Sequence, residues 1–218
     1  MGTCGYGPED LLITYLHASV IISPVAKRKS KKQKKQSMIS RQVGNLLLLS
    51  SVLLFFILFY PIISVYLFPP KVIDIQNLPN NYISVPKIHA QAPLNFNVDP
   101  FNETEYQKVL KGGVAHAKNT SLPGEKGSMF IFAHSSGNPI EISNYNTIFL
   151  KLGELQKNDE IQIKKDNKIY TYKVTEKKVV WPNEVKYLKE EKDQLILQTC
   201  WPIGTSLKRL LIFASPEK

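Results

Sequence analysis

The sequence predicts a mostly β domain, a closed barrel or sandwich of about eight short strands with few helices, carried behind one N-terminal membrane-spanning helix. Three observations carry that reading. Leu46 to Phe68 runs for 23 residues without a charge. Beyond residue 82, short apolar or alternating runs are separated by turn residues at regular intervals. Only two stretches in that region have helical character, and neither is long.

The apolar run LLLLSSVLLFFILFYPIISVYLF spans roughly 35 Å at a helical rise of ~1.5 Å per residue, enough for a bilayer core of about 30 Å. Pro61 is expected to end or kink the helix in its outer third, a position that membrane helices tolerate. Tyr60 and Tyr66 suit the outer interface. The block KRKSKKQKK and Arg41 precede the run, so the positive-inside rule places residues 1–42 in the cytoplasm and the remainder outside. A cleaved signal peptide is the competing reading, but the run is long and lacks an evident small-residue cleavage site. The expected organisation is therefore a cytoplasmic segment (1–42), a single-pass type II anchor (43–68), a linker (69–81) and an extracytoplasmic domain (82–218). Met38 reads as an alternative start, residues 1–37 are given no function, and the opening Met1-Gly2-Thr3-Cys4-Gly5-Tyr6 lacks a myristoylation signal.

The strands expected in the outer domain are Tyr82–Val85, Lys87–Ala90, Met129–His134, Glu160–Lys164, Lys168–Val174, Lys177–Val180, Leu195–Thr199 and Arg209–Ala214. Lys165-Asp166-Asn167 between two alternating runs predicts a hairpin turn. Glu103–Lys111 and Thr147–Leu155 are the expected short helices.

The net charge of +10 does not signal nucleic acid. Residues 1–70 carry eight Lys/Arg against Glu9 and Asp10, a balance of +6, while the remaining 20 basic and 16 acidic residues give +4. The excess thus sits in one block beside an apolar run, which is a topology signal. The two cysteines, Cys4 and Cys200, form no CxxC and no Cys/His ligand spacing, so a structural zinc site is excluded.

Cys200 is the only cysteine beyond the apolar run, and an unpaired thiol outside the cell is exposed to oxidation and mispairing. Such a residue is better explained by reactivity. A catalytic thiol needs a base or ion-pair partner and a donor for the oxyanion that forms when it attacks a carbonyl. His134 ends an apolar run and opens into the polar turn Ser135-Ser136-Gly137-Asn138. Arg209 follows Cys200 across a turn, where a hairpin would set the two on neighbouring strands. By spacing alone, a half-exposed histidine, a solvated arginine and a small buried cysteine explain the same residues.

The order of these residues behind an N-terminal anchor resembles the sortase family of cysteine transpeptidases. Leu195-Ile196-Leu197-Gln198-Thr199-Cys200 is similar to its TLxTC strand, with Ile196 where the family usually has Thr. Tyr82-Ile83-Ser84-Val85-Pro86-Lys87-Ile88 with Ala92-Pro93-Leu94, and Gly113-Val114-Ala115-His116 with Thr120-Ser121-Leu122-Pro123-Gly124-Glu125-Lys126-Gly127, resemble its upstream segments. The likeness covers roughly residues 82–216 and is nearest to the class D and E members. Ala133-His134-Ser135-Ser136 departs from the family's Gly-His-Arg, and the loop Trp181 to Gln194 matches no subclass.

The resemblance implies a closed sortase-type barrel and a transpeptidase. Cys200 would attack the carbonyl of an LPxTG-like C-terminal sorting motif, His134 would act as acid and then base, and Arg209 would hold the oxyanion. Thr199 and His116 would lend support near the substrate. Implied partners are surface proteins bearing sorting signals, an amine acceptor (cell-wall peptide or pilin lysine) and the bilayer, with no cofactor, metal or nucleic acid. Glu103, Glu105 and Glu154 define no calcium site by spacing. An L,D-type transpeptidase fits poorly, because Thr199 and not Gly directly precedes Cys200, and Arg209 is nine residues on. A non-catalytic, membrane-anchored β-domain that binds surface proteins is the alternative from another class.

Overall fold

The computed structural model describes residues 25–135, 145–189 and 192–217. The chain divides into two compact units, Met1–Leu53 and Leu54–Lys218, and helix α1, Val25–Leu67, runs from the first into the second. Its apolar window, Ser40–Tyr60, is long enough to cross a membrane. Leucines such as Leu47 and Leu49 are about two-thirds exposed, so from Asn45 onward this window is apolar all round, with none of it buried inside the protein. That pattern suits hydrocarbon, where the backbone must satisfy itself. Ser50 follows the same logic, its hydroxyl donating to the Leu47 carbonyl at 2.9 Å. Pro61 does not end the helix, which continues to Leu67.

The second unit is built on eight strands: β1 Tyr82–Val85, β2 Ala90–Val98, β3 Val114–Ala117, β4 Ser128–Phe132, β5 Glu160–Lys165, β6 Lys168–Val180, β7 Gln194–Trp201 and β8 Lys208–Pro216. They close into a barrel in the order β1-β2-β3-β4-β7-β8-β6-β5, the seam being the β1–β5 pair. Closure removes the exposed edges that an open sheet of this size would present. Two of the pairings, β2–β3 and β4–β7, are parallel. The second of these brings together strands more than sixty residues apart in sequence.

Alternation sorts each strand into an inner and an outer face. Ile131, Ile161, Ile163, Leu195, Leu197, Ile212 and Ala214 fill the interior and are completely buried. β5 and β6 join through Asp166 and Asn167, both with positive φ. That is the two-residue turn whose twist matches a hairpin, and Asp and Asn tolerate it.

Several local expectations need correcting. Pro86–Ile88 is a 3-10 turn ending at a left-handed His89, so the second strand begins at Ala90 and not at Lys87. Pro86 supplies the fixed φ that starts the turn. β3 was not expected as a strand. Gly113 precedes it where a Cβ would lie 2.2 Å from the Pro93 carbonyl oxygen, so β3 can approach β2 only through a glycine. The two expected strands Lys168–Val174 and Lys177–Val180 are one strand with a register shift between Val174 and Glu176, the mark of a bulge. The expected helix Thr147–Leu155 reduces to turns and a 3-10 segment, Leu152–Glu154. α2 forms over Glu103–Leu110, where the Asn102 side chain accepts from the Glu105 backbone N–H.

The segment after α1 is strapped to the barrel. The Gln91 amide accepts from Ile73 N–H at 3.0 Å and donates to the Ile73 carbonyl. Lys164 Nζ donates to the carbonyls of Gln76 and Leu78. Ile75 and Leu78 are buried.

Candidate active site

The site is assembled by three neighbouring strands. β4 and β7 run parallel with Phe132 opposite Gln198. The register continues past the end of β4, because Ala133 N–H donates to the Gln198 carbonyl at 3.1 Å. Two steps beyond Phe132 and Gln198 stand His134 and Cys200. β7 and β8 are antiparallel, with Cys200 directly opposite Arg209. His134, Cys200 and Arg209 therefore occupy one row across three strands, each about 5 Å from the next along the backbone. All three are half-buried, so they are shielded from bulk water without being closed to a substrate. Cys200 is a free thiol.

Each position is fixed locally. The His134 carbonyl accepts from Phe149 N–H at 3.2 Å, and the Ala133 carbonyl accepts from the Thr199 hydroxyl at 3.0 Å. Arg209 Nη1 donates to the carbonyls of Ser206 and Lys208 at 3.0 and 3.1 Å. The β7–β8 turn thus positions one arm of the guanidinium. A guanidinium carries five donors in all, so two bonds from one nitrogen leave capacity for a ligand.

The row lies on the outer face of the sheet, in line with Phe130, Phe132, Ile196, Gln198, Leu211 and Phe213. Tyr106 of α2 packs edge-on against Phe132 at 6.0 Å between ring centres, and Tyr187 of the 3-10 segment Val185–Lys189 packs likewise on Phe213 at 5.6 Å. These aromatic pairs make walls on either side of an apolar floor. Beyond the row, Trp181 is exposed, with Lys208 Nζ 4.8 Å from its ring centre. Neither Gln198 nor Tyr106 stands out in the sequence. The alternation of β7, read from Cys200 backwards, could have found Gln198.

Thr199 and His116 lie on the opposite face, toward the interior. Thr199 is buried, with its hydroxyl on the Ala133 carbonyl. His116 is fully buried: Nδ1 accepts from Asn97 N–H at 3.3 Å, and Nε2 stands 3.0 Å from the Ser121 carbonyl and 2.9 Å from Thr120 Oγ1. A neutral ring protonated on Nε2 satisfies all three contacts. Burial pushes its pKa below the ordinary value, only partly countered by the Ser121 carbonyl. Neither side chain shares the face on which Cys200 stands. Ser135, next to His134, is buried, and among the described residues its Oγ has no hydrogen-bond partner. The rest of the expected turn, Ser136 to Asn138, lies outside the described residues.

A cavity of about 490 Å³ opens at the other end of the strands, lined by Gly127, Tyr170, Tyr172 and Asp193 among others. It is remote from Cys200, and burial raises the Tyr172 phenol to about 12. Among the described residues no group of three His, Cys, Asp or Glu side chains is arranged to hold a metal ion.

The sortase-domain family model matches residues 83–217, well over half of the chain. The chain belongs to the sortase family. Sortase D of Bacillus subtilis (strain 168) is 29% identical over 136 residues, covering 60% of this chain and 60% of that protein. The match thus spans less than two-thirds of that relative's length. Among solved structures, sortase A from Corynebacterium diphtheriae is similar at 30% identity and a TM-score of 0.53, over 63% of this chain and 60% of its own. Sortase C-1 from Actinomyces oris is similar at 26% identity and the same TM-score of 0.53, over 63% and 72%. In this sortase the matched region contains all of the barrel but Tyr82, together with His134, Cys200 and Arg209.

Proposed function

We propose that this sortase is a membrane-anchored cysteine transpeptidase acting on surface proteins that carry an LPxTG-like C-terminal sorting motif. The observation that carries the reading is the row His134–Cys200–Arg209, a nucleophile flanked on both sides by the two groups its chemistry requires.

The Cys200 thiolate attacks the scissile carbonyl, and Arg209 donors facing that carbonyl stabilise the oxyanion. As the tetrahedral intermediate collapses, the C–N bond breaks and the leaving amine takes a proton from the His134 imidazolium. A thioester to Cys200 remains. An incoming amine then loses a proton to His134 and attacks the thioester, which restores the thiolate and the imidazolium. Protons and electrons balance over the two halves, and no cofactor is needed. The acceptor is a cell-wall peptide amine or a pilin lysine. Thr199 and His116 act as positioning residues: Thr199 holds β7 to β4 beside the row, and His116 knits β3 to the loop that leads into β4.

The apolar helix serves as a type II anchor, with residues 43–68 in the bilayer, residues 1–42 in the cytoplasm and the barrel outside. Tethering at the outer leaflet raises the effective concentration of substrates that emerge there.

The test is intact mass spectrometry of the full chain in detergent, mixed with LPxTG-like peptides. The expected result is an acyl adduct that disappears when an amine is added and never forms with Cys200→Ala. Absence of any adduct while Cys200 still alkylates would overturn the reading.

A further inference from the structure

Gln198 stands on the same face of β7 as Cys200, two residues before it. Its cross-strand neighbours are Phe132 on β4 and Leu211 on β8, both buried and apolar. Ile196, fully buried, precedes it on that face. Gln198 itself is half-buried. Its backbone carbonyl accepts from Ala133 N–H, yet among the described residues its side-chain amide has no hydrogen-bond partner. A carboxamide carries two donors and an acceptor. Half-buried, the amide stays open at the surface of an apolar floor, where water or a ligand completes it.

The walls locate where a ligand would meet it. Tyr106 covers Phe132 and Tyr187 covers Phe213, so Gln198 is the polar part of the floor between two covered aromatics and is contiguous with Cys200. Residues two apart on a strand are separated by roughly 6.6 Å, the span of two residues in an extended peptide. When the scissile carbonyl sits over Cys200, the residue carrying it lies above the row. The residue just before it falls within reach of the Gln198 amide.

We propose that Gln198 is a specificity-determining residue, whose amide hydrogen-bonds an uncharged polar side chain, amide or hydroxyl, at the variable position immediately before the residue bearing the scissile carbonyl. The inference rests on the transpeptidase reading and names the substrate chemistry that reading leaves open. A peptide with an apolar residue at that position leaves the amide unpaired, and is discriminated against by roughly three- to tenfold, the worth of one net neutral hydrogen bond.

The experiment measures acylation rates of the full chain in detergent against peptides L-P-x-T-G in which only x varies. Wild-type enzyme is expected to favour Gln, Asn and Ser over Leu and Val at x. Gln198→Leu is expected to flatten or invert that ranking, with Cys200 alkylated by iodoacetamide at the wild-type rate. Gln198→Glu is expected to shift the preference toward Lys, which serves as the second readout should the leucine variant acylate too slowly to rank. A merely structural role changes all rates together and leaves the ranking intact. The same ranking in wild type and both variants overturns the inference while leaving the transpeptidase in place. No adduct from any peptide with wild-type enzyme overturns both.

Discussion

The hydroxyl of Thr199 donates to the carbonyl of Ala133 at 3.0 Å, tying the residue before Cys200 to the residue before His134. β4 has ended by this point, so the bond does the work of a ladder hydrogen bond where the ladder has stopped. The interval between Cys200 and His134 is thereby fixed from beneath the sheet, on the face opposite the row.

Thr199→Val keeps the shape and removes that donor. With the Ala133 carbonyl left short of a partner, stability should fall by about 1 kcal/mol, read from urea denaturation. If the bond positions the row, kcat should fall while KM changes little, and Thr199→Ser should restore both. A full loss of stability with unchanged kcat would limit Thr199 to a structural role.

Arg209 separates charge from geometry. Its Nη1 is committed to the carbonyls of Ser206 and Lys208, so the guanidinium is aimed before substrate arrives. Lysine keeps the charge and loses the planar fork. Arg209→Lys should lower kcat/KM by roughly 10²–10³-fold, the usual effect of removing an oxyanion donor, with Cys200 alkylation little changed. Steady-state transpeptidation of a sorting peptide measures it. Near-wild-type activity in the lysine variant would mean that only charge is needed.

The row was legible in the sequence because its members close or open strands next to turns. Cys200 and Arg209 flank one hairpin, and hairpin register follows from local pattern. His134 was harder to place, since its pairing with β7 is parallel and crosses more than sixty residues, which no local periodicity encodes. Family likeness supplied that step. The misread elements share a cause. Pro86 and His89 turn the chain where alternation suggested a strand. The bulge near Thr175 looked like a gap between two strands. β3, only four residues long and buried at every position, shows no alternation at all. The side on which a strand residue faces was readable in principle, yet Thr199 drew attention by its motif while Gln198, on the face that matters, did not.

His116 gives a pH dependence. Burial lowers its pKa in the folded state below the ordinary 6.5, so between the two values the unfolded chain binds more protons. Stability then rises with pH through that window. The contribution is complete above about 6.5 and is lost as pH falls toward and through the lower, folded value. Urea midpoints between pH 5 and 8 should therefore drop on the acid side, and His116→Gln, which cannot titrate, should flatten that slope while lowering stability at pH 8. An equal slope in the variant would assign the acid sensitivity elsewhere.

The strap after α1 is the remaining test, because it sets where the segment after the helix ends and the barrel begins. Gln91 contacts Ile73 through both ends of its amide and donates as well to Ser84 Oγ at 2.9 Å, imitating one rung of a strand pair. Ile73 is about half exposed, so apolar burial does little to hold it there. Gln91→Ala should raise hydrogen exchange at the Ile73 amide by roughly five- to tenfold, the equivalent of about one hydrogen bond. Exchange in β4, β7 and β8 should stay unchanged. Lys164→Met, which frees the carbonyls of Gln76 and Leu78, should loosen the adjoining turn by a comparable amount. The two changes lie at separate contacts, so their effects should add. If each variant instead loosens the whole segment as much as both together, residues 70–78 leave the barrel as a single cooperative unit, and the free segment after α1 is longer than the resting structure implies.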